Sequence, residues 1–329
     1  MNEYEKYGIT QRVMAELCGL SSATVSRYIA QNEIVPMQNF SQRNMKYCIE
    51  DSRSVVTNLL SKNINIKNKI HAFYNFKGGT GKTSLCYQIS SHLALMGFRV
   101  LVVDTDPQGH LSTSFGFDSN MNLLTLYDVI TKGLLIEDVI KPVFPGLDCI
   151  PANLSLRRIE VELNQMPKRE EQFIIHFQEI EKKYDFILFD TNPTISMVNR
   201  NVITYSDQLN IVCETQPYSL NGLSLLLDDI EKFYASMRMQ QKQILIIPNK
   251  YEDRTATSGE AMSALRLNYG QYLKPDFAIR KSEDINISAK NGLPLAFFAK
   301  INSNAMADII EIMHYILSIS TDYKLKTTH

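Results

Sequence analysis

The stretch FYNFKGGTGKTS, residues 73–84, starts as an apolar run, breaks into glycines and stops at a Lys-Thr pair. The run that leads into it, KIHAFYNF (69–76), reads as a strand, and SLCYQISSHLALMG (84–97) after it has helical periodicity. A glycine-rich turn from strand to helix is suited to phosphate. Its glycines let backbone N–H groups turn inward around phosphate oxygens, and the helix start adds partial positive charge. The candidate loop is Gly78, Gly79, Thr80, Gly81, Lys82, Thr83 and Ser84. Lys82 supplies a point charge to the terminal phosphates, and the Thr83 hydroxyl can ligate Mg²⁺. The usual pattern, G-x-x-x-x-G-K-[ST], wants glycine where this chain has Phe76, and an additional lysine, Lys77, precedes Gly78. Two lysines crowded at one loop repel unless a polyphosphate lies between them.

Further β-type runs follow: FRVLVVD (98–104), LDCIPA (147–152), YDFILFD (184–190), QLNIVCE (208–214) and KQILIIPN (242–249). Their nearly continuous apolar character is that of strands buried on both faces of a parallel sheet. Helical patterns such as LNGLSLLLDDIEKFYASM (220–237) lie between them. The alternation predicts an α/β fold, a doubly wound, mostly parallel sheet of the phosphate-loop NTPase kind, with chemistry at the carboxyl ends of the strands. Asp104 closes one strand, and Asp106 stands two residues later on a loop kept out of helix by Pro107 and Gly109. Asp190 closes another, ahead of Pro193. A Mg²⁺ held by a threonine hydroxyl, phosphate and water commonly takes a carboxylate from a neighbouring strand, which fits Asp190. Together with the loop, these acids point to nucleotide hydrolysis.

KGGTGKTS, VVDTDPQG and ILFDTNP resemble the three nucleotide motifs of the ParA/MinD family of deviant Walker ATPases, in its plasmid- and chromosome-partitioning ParA branch. The likeness continues in CIPANLSLRRIEVEL (149–163), TQPYSLNGLSLLL (215–227) and IRKSEDINISAKNGLPL (279–295), and so spans residues 69–318. It implies ATP and Mg²⁺ as cofactors and a homodimer in which Lys77 reaches the phosphates of the other subunit's ATP, while Lys82 serves its own. It further implies that Asp106 positions the attacking water, that Asp104 has a metal or switch role, and that Asn249 lies near adenine. PNKYED (248–253) evokes the guanine-reading N-K-x-D pattern, but Glu252 stands where its aspartate belongs, and ATP is the preferred reading. The family also implies a ParB-like centromere-binding partner and non-specific DNA binding through basic residues near the carboxyl end. Arg254, Arg280, Lys281, Lys290 and Lys300 are candidates, whereas Asp284 stands at a position that is often arginine. The motifs contain no evident glutamine or arginine finger, which predicts slow basal turnover.

Residues 1–62 read as a separate helix-turn-helix domain, 63–69 as a linker and 70–329 as the ATPase domain. In QRVMAELCGLSSATVSRYIA (11–30), Ala15, Gly19 and Val25 have the offsets of a helix-turn-helix: a small residue for close approach, a glycine at the corner, a β-branched anchor. Ser22, Thr24, Ser26 and Arg27 would face outward, toward phosphates and base edges. IVPMQNFSQRNMKYCIED (34–51) resembles the wing and following helix of MerR-like domains, with R-N-M-K-Y in place of R-x-Y. Such a domain suits operator binding and autorepression. The competing reading is a small all-α docking domain, and eight Lys/Arg against six Asp/Glu in residues 1–68 is a weak footprint for DNA.

Composition narrows the rest. With 44% hydrophobic and 21% charged residues and a formal charge of −1, no global attraction to nucleic acid or membrane is encoded. The five cysteines form no C-x-x-C pair, which argues for a reducing compartment and against a zinc cluster. Cys149 and Cys213 read as core residues, not as cluster ligands. MNEYEKYGIT is not a signal peptide, and no apolar run reaches a membrane span. A cytoplasmic, nucleoid-associated protein is expected. In the last helix Met306, Ile309, Ile310, Met313 and Leu317 have core spacing, with Asp308 and Glu311 on the wetter side. That pattern, with only Tyr323 and Leu325 apolar in the tail, suits a packed helix better than a MinD-like lipid anchor. The remaining alternatives are a nucleotide-sensing transcriptional regulator and a positioner of another cargo.

Overall fold

The six apolar runs become six parallel strands, and one more strand joins at the edge. The structure, a computed structural model, describes residues 3–38, 40, 45–60, 64–118, 121–300 and 302–323. Its main sheet comprises β1 (Ile70–Tyr74), β2 (Val100–Asp104), β3 (Lys141–Phe144), β4 (Leu147–Ile150), β5 (Phe186–Asp190), β6 (Gln208–Glu214) and β7 (Gln243–Asn249). The order across the sheet is β3-β4-β2-β5-β1-β6-β7, all parallel except β3, which runs antiparallel to β4. β3 escapes a search for apolar runs because it opens with Lys141 and Pro142. Proline lacks the ladder donor, so it belongs on an edge strand such as this one.

Helices cover both faces. Lys82–Leu95 and Asn304–Ser320 pack on one, Met197–Tyr205 and Pro217–Met237 on the other. β1 lies between β5 and β6, where the chain's winding reverses, so the turn after β1 opens into the crevice at the strand ends. Register then fixes which side chains meet there. Asp104 of β2 pairs with Asp190 of β5, and Glu214 of β6 with Asn249 of β7. Cys149 and Cys213 are fully buried in β4 and β6.

The amino-terminal segment folds as helices Gln11–Cys18, Ser22–Gln31 and Ile49–Leu60, with Ile9–Thr10 paired antiparallel to Lys46–Tyr47. Gly19 turns the corner at φ 64°, and Val25 and Ile29 of the second helix are buried. The segment shares one apolar cluster with the helix Lys82–Leu95 and the last helix. Tyr4 packs its ring 5.3 Å from Phe144 and 6.1 Å from Phe297. The Arg53 guanidinium donates to the carbonyls of Ala94, Gly97 and Phe98, which satisfies the carboxyl end of the helix Lys82–Leu95. Gly97 and Gly146 permit this approach, since a side chain on either would occupy the space of Thr57 or Arg53. The His314 ring lies 3.0 Å from the Leu17 carbonyl.

Residues 64–69 are tied down as well. Ile66 bridges Thr321, and the amides of Lys67 and Asn68 both donate to the Ser320 carbonyl. Residue 63 of the expected linker, Arg43 of the R-N-M-K-Y element and Leu325 of the tail lie outside the described residues. In the last helix Met306, Ile309, Met313 and Leu317 are buried as their spacing predicts, while Ile310 is only half-buried against the same cluster. Asp308 departs from expectation. It is buried, because its carboxylate accepts from the Arg280 backbone N–H at 2.9 Å and from Arg280 Nε at 3.0 Å. Among the described residues no helix is long and apolar enough to cross a membrane.

Two histidines are walled in. His71 Nε2 lies 3.1 Å from the Asn68 carbonyl, and His92 Nδ1 lies 2.6 Å from that of Gln88. Burial lowers both pKa values to about 4. A histidine whose folded pKa lies below its unfolded value takes up its proton on unfolding, so its contribution is whole above about pH 6.5 and is lost as pH falls toward 4. Asp104, raised to about 6, acts in the opposite sense. The effect of one histidine is therefore read as a difference. His92→Gln is expected to flatten the loss of stability between pH 6.5 and 4.5 by up to ~1.4 kcal/mol per pH unit, measured by urea unfolding at several pH values. An unchanged slope would show that His92 is not held neutral in the folded chain.

Candidate active site

Asn75, directly after β1, sets the course of the loop. Its buried amide donates to the Val212 carbonyl at 2.7 Å and its oxygen accepts the Lys77 N–H at 2.9 Å. Gly79 and Gly81 take φ +76° and +99°, left-handed values that favour glycine. A side chain on Gly81 would also collide with the Asn249 amide. The chain then enters the helix Lys82–Leu95, whose first N–H groups have no partners within the helix.

The two lysines of the loop are placed differently. Lys82 is 6% exposed and turns back to donate to the Lys77 carbonyl at 3.2 Å. Burial lowers its pKa, and the charges of Asp190 and Asp106 oppose that shift. Lys77 stands at the rim with its side chain 45% exposed, its Nζ 2.6 Å from Glu214 Oε2 and 3.3 Å from the Ser219 hydroxyl. Lys250 meets the other oxygen of Glu214 at 2.9 Å and the Gly79 carbonyl at 2.5 Å. Burial would raise the Glu214 carboxyl, but hydrogen bonds from Lys77 and Lys250 outweigh it and hold the pKa below its ordinary value.

The three aspartates also divide. Asp104 is fully buried and accepts from the Asp106 N–H at 3.0 Å, the Ser112 N–H at 2.9 Å and the Ser112 hydroxyl at 2.7 Å. Burial raises it to about 6 while these hydrogen bonds pull it down. Both of its oxygens are thus engaged in ordering residues 104–112. Asp106 is half-buried and caps the next turn by accepting the Gln108 N–H at 2.9 Å. Asp190 is fully buried, and neither carboxylate oxygen has a hydrogen-bond partner. Burial first and Asp104 second push its pKa well up, opposed by the neighbouring Thr83 hydroxyl, which does not meet it in hydrogen-bonding geometry, and by the Lys82 ammonium. A buried carboxylate left open in this way is costly and calls for a cation. The Thr80 hydroxyl is likewise buried without a partner.

The loop residues Gly78 to Ser84 and Lys77, Asp104, Asp106, Asp190 and Asn249 thus gather at one edge of the sheet. Asn249, expected near adenine, is buried and donates to the Thr80 carbonyl at 2.7 Å, which ties it to the backbone of the loop. Glu214, Lys250, Asn75 and Ser112 belong to the same constellation and were not singled out from the sequence. Glu214 carries the signal that marked Asp104 and Asp190, an acid closing an apolar strand.

The basic candidates are less uniform. Arg254 is exposed, Lys281 is paired with Glu252 at 3.0 Å, and Arg280 is held by Asp308. On the helix Ser22–Gln31, Ser22, Ser26 and Arg27 are exposed and Thr24 is half-buried. The Thr24 hydroxyl lies 2.9 Å from that of Ser21, and the Ser26 hydroxyl donates to Gln11 at 2.6 Å.

A family model described as an AAA domain, AAA_31, matches residues 68–244. The cell division protein PomZ of Myxococcus xanthus is 30% identical over 246 residues, covering 74% of this chain and 76% of that protein. The chain belongs to the ParA/MinD family of Walker ATPases. Within that family, the chromosome partitioning protein ParA of Caulobacter vibrioides is 28% identical over 233 residues, 70% of this chain and 87% of that one. The fold of this ParA/MinD-family chain is also that of a Cyanothece McdA–ATP complex. The TM-score is 0.68 at 20% identity, over 77% of this chain and 97% of that one.

The open carboxylate makes a prediction about the free protein. Asp190→Asn replaces a buried acid that no hydrogen bond satisfies by a neutral group of the same shape, so without nucleotide its melting temperature should equal or exceed that of the parent. A clear fall in melting temperature in differential scanning calorimetry would show that Asp190 has a protein partner that stabilises it.

Proposed function

We propose that this chain is a partitioning ATPase that pairs around two ATP·Mg²⁺ molecules, binds DNA as a dimer and lets go when hydrolysis is stimulated by a ParB-like, centromere-bound partner. The observation that carries this reading is the separation of the loop lysines. Lys82 is buried inside its own loop, whereas Lys77 stands nearly half exposed at the rim, where a second subunit's phosphates could reach it. The names of the relatives agree, one a cell division protein and one a chromosome partitioning protein.

The residues present fit the cofactors. Gly78 to Ser84 and the helix start would hold the phosphates, and Thr83 and Asp190 the Mg²⁺, with Asp104 in a metal or switch role beside them. Among the described residues no three His, Cys, Asp or Glu side chains converge on a metal site, so phosphate and water would complete the coordination. ATP·Mg²⁺ supplies the scissile phosphoanhydride and a metal that offsets its charge. Lys82 then unbends from the Lys77 carbonyl toward the phosphates, Asp106 orients the attacking water, and Asp104 keeps Asp106 in place through its N–H. With no glutamine or arginine finger supplied by the motifs, basal turnover should stay below roughly 1 s⁻¹.

We assign residues 1–62 to a helix-turn-helix that recognises the operator of its own operon, 63–69 to a linker and 70–329 to the ATPase. The turn at Gly19, the buried anchor Val25 and the exposed Ser22, Ser26 and Arg27 support that role, with Thr24 capped beside them. Non-specific DNA contact falls to Arg254 and Lys281, and to Arg280 once Asp308 releases it. The setting is cytoplasmic, on the nucleoid.

Fluorescence anisotropy of a labelled random duplex tests the reading: binding should require ATP·Mg²⁺ and be absent with ADP or no nucleotide. Binding that ignores nucleotide would favour a regulator acting through residues 1–62, and no binding a positioner on another surface. Lys82→Ala should lose nucleotide binding or turnover, Lys77→Ala should bind nucleotide without forming the dimer, and Asp106→Ala should trap the dimer with turnover reduced at least about a hundredfold, the low end of the range typical of general-base loss.

A further inference from the structure

Glu214 lies outside the nucleotide motifs, yet the rim of the phosphate loop is arranged around it. It closes β6 in register with Asn249, which brings Lys250 alongside. Its side chain is 15% exposed, and its two oxygens lie 2.6 Å from Lys77 Nζ and 2.9 Å from Lys250 Nζ. Two negatively charged oxygens on one centre, each meeting an ammonium group, are what a phosphate offers the same pair of lysines.

Resting on the dimer reading of Lys77 above, we propose that Glu214 is a positioning residue that holds Lys77 within its own subunit, so that Lys77 engages the second subunit's nucleotide only by exchanging this carboxylate for a phosphate. Lys250 makes the exchange feasible. It remains on the other oxygen, so the carboxylate is not stranded when Lys77 leaves. The Ser219 hydroxyl, 3.3 Å from Lys77 Nζ, guides the lysine from the same side. The contact therefore opposes pairing at low ATP and yields once a polyphosphate is presented.

The expected size follows from the exposure of Lys77. A partly exposed ion pair shifts an equilibrium by about two- to fivefold. Pairing breaks one such contact in each subunit, so the dimerisation constant should move by roughly four- to twenty-five-fold when the carboxylate is neutralised. If Glu214 merely fastened the ends of β6 and β7, its loss would change folding and nucleotide binding together and would not favour the dimer.

The test is analytical ultracentrifugation of the full chain, titrated with Mg²⁺ and a slowly hydrolysed ATP analogue. Binding of a fluorescent ATP analogue is measured in parallel on the Lys77→Ala background, where subunits stay single. Glu214→Gln should dimerise about four- to twenty-five-fold more readily than the parent, a gain larger than any change in analogue affinity in the Lys77→Ala background. Glu214→Asp, which keeps the charge, should return toward the parent. Lys250→Gln leaves the carboxylate to Lys77 alone and should shift dimerisation the other way. Equal or weaker pairing of Glu214→Gln overturns the proposal. If that variant fails to fold, Lys250→Gln decides, and pairing as ready as the parent's overturns it equally. A parent that does not dimerise with the analogue would refute the dimer reading itself, an outcome visible before any variant is made.

Discussion

Four carboxylates and three ammonium groups converge on the carboxyl edge of one parallel sheet, and the rest of the site depends on how they neutralise one another. Asp104, Asp106, Asp190 and Glu214 end or follow strands whose register leaves no freedom to move apart. Lys77, Lys82 and Lys250 lie among them. The protein distributes these charges unequally. Asp104 is occupied by hydrogen bonds from Ser112 and Asp106 and Glu214 by two lysines, whereas Asp190 has Lys82 and the Thr83 hydroxyl nearby but no hydrogen bond of its own. An arrangement that leaves one buried acid unanswered and one lysine accessible is prepared for a ligand carrying both a cation and negative oxygens.

Local chemistry was readable from the sequence, and long-range chemistry was not. The loop from Gly78 to Ser84 announces itself because all its parts are contiguous, and the parallel strands do so because burial on both faces demands unbroken apolar runs. β3 did not, since an edge strand tolerates Lys141 and Pro142. Asp308 was assigned to the wetter side of its helix because periodicity sees only the helix itself. Its partner Arg280 is 28 residues away in the chain, and a buried ion pair has no period. Glu214 offered the same strand-end signal as Asp104 and Asp190 but gained meaning only when β6 and β7 brought Lys250 beside it.

The amino-terminal segment shows the same limit. Its helices and its glycine corner follow from local pattern, yet nothing in the first 62 residues reveals that they cover one face of the sheet. That docking rests on Arg53, on the space left by Gly97 and Gly146, and on Tyr4 against Phe144 and Phe297. These contacts span from about forty to nearly three hundred positions in the chain.

Arg53 has a bearing on how such a chain could have been assembled. The helix that follows the phosphate loop has two poles, and they are served by different segments: its amide end by whatever anion the loop holds, its carbonyl end by a guanidinium from the front of the chain. Recombination that exchanged the front segment for another would leave those carbonyls bare and uncover an apolar face. The two parts are therefore not interchangeable cassettes. A successful hybrid would have to inherit Arg53, or its equivalent, together with the glycines that make room for it.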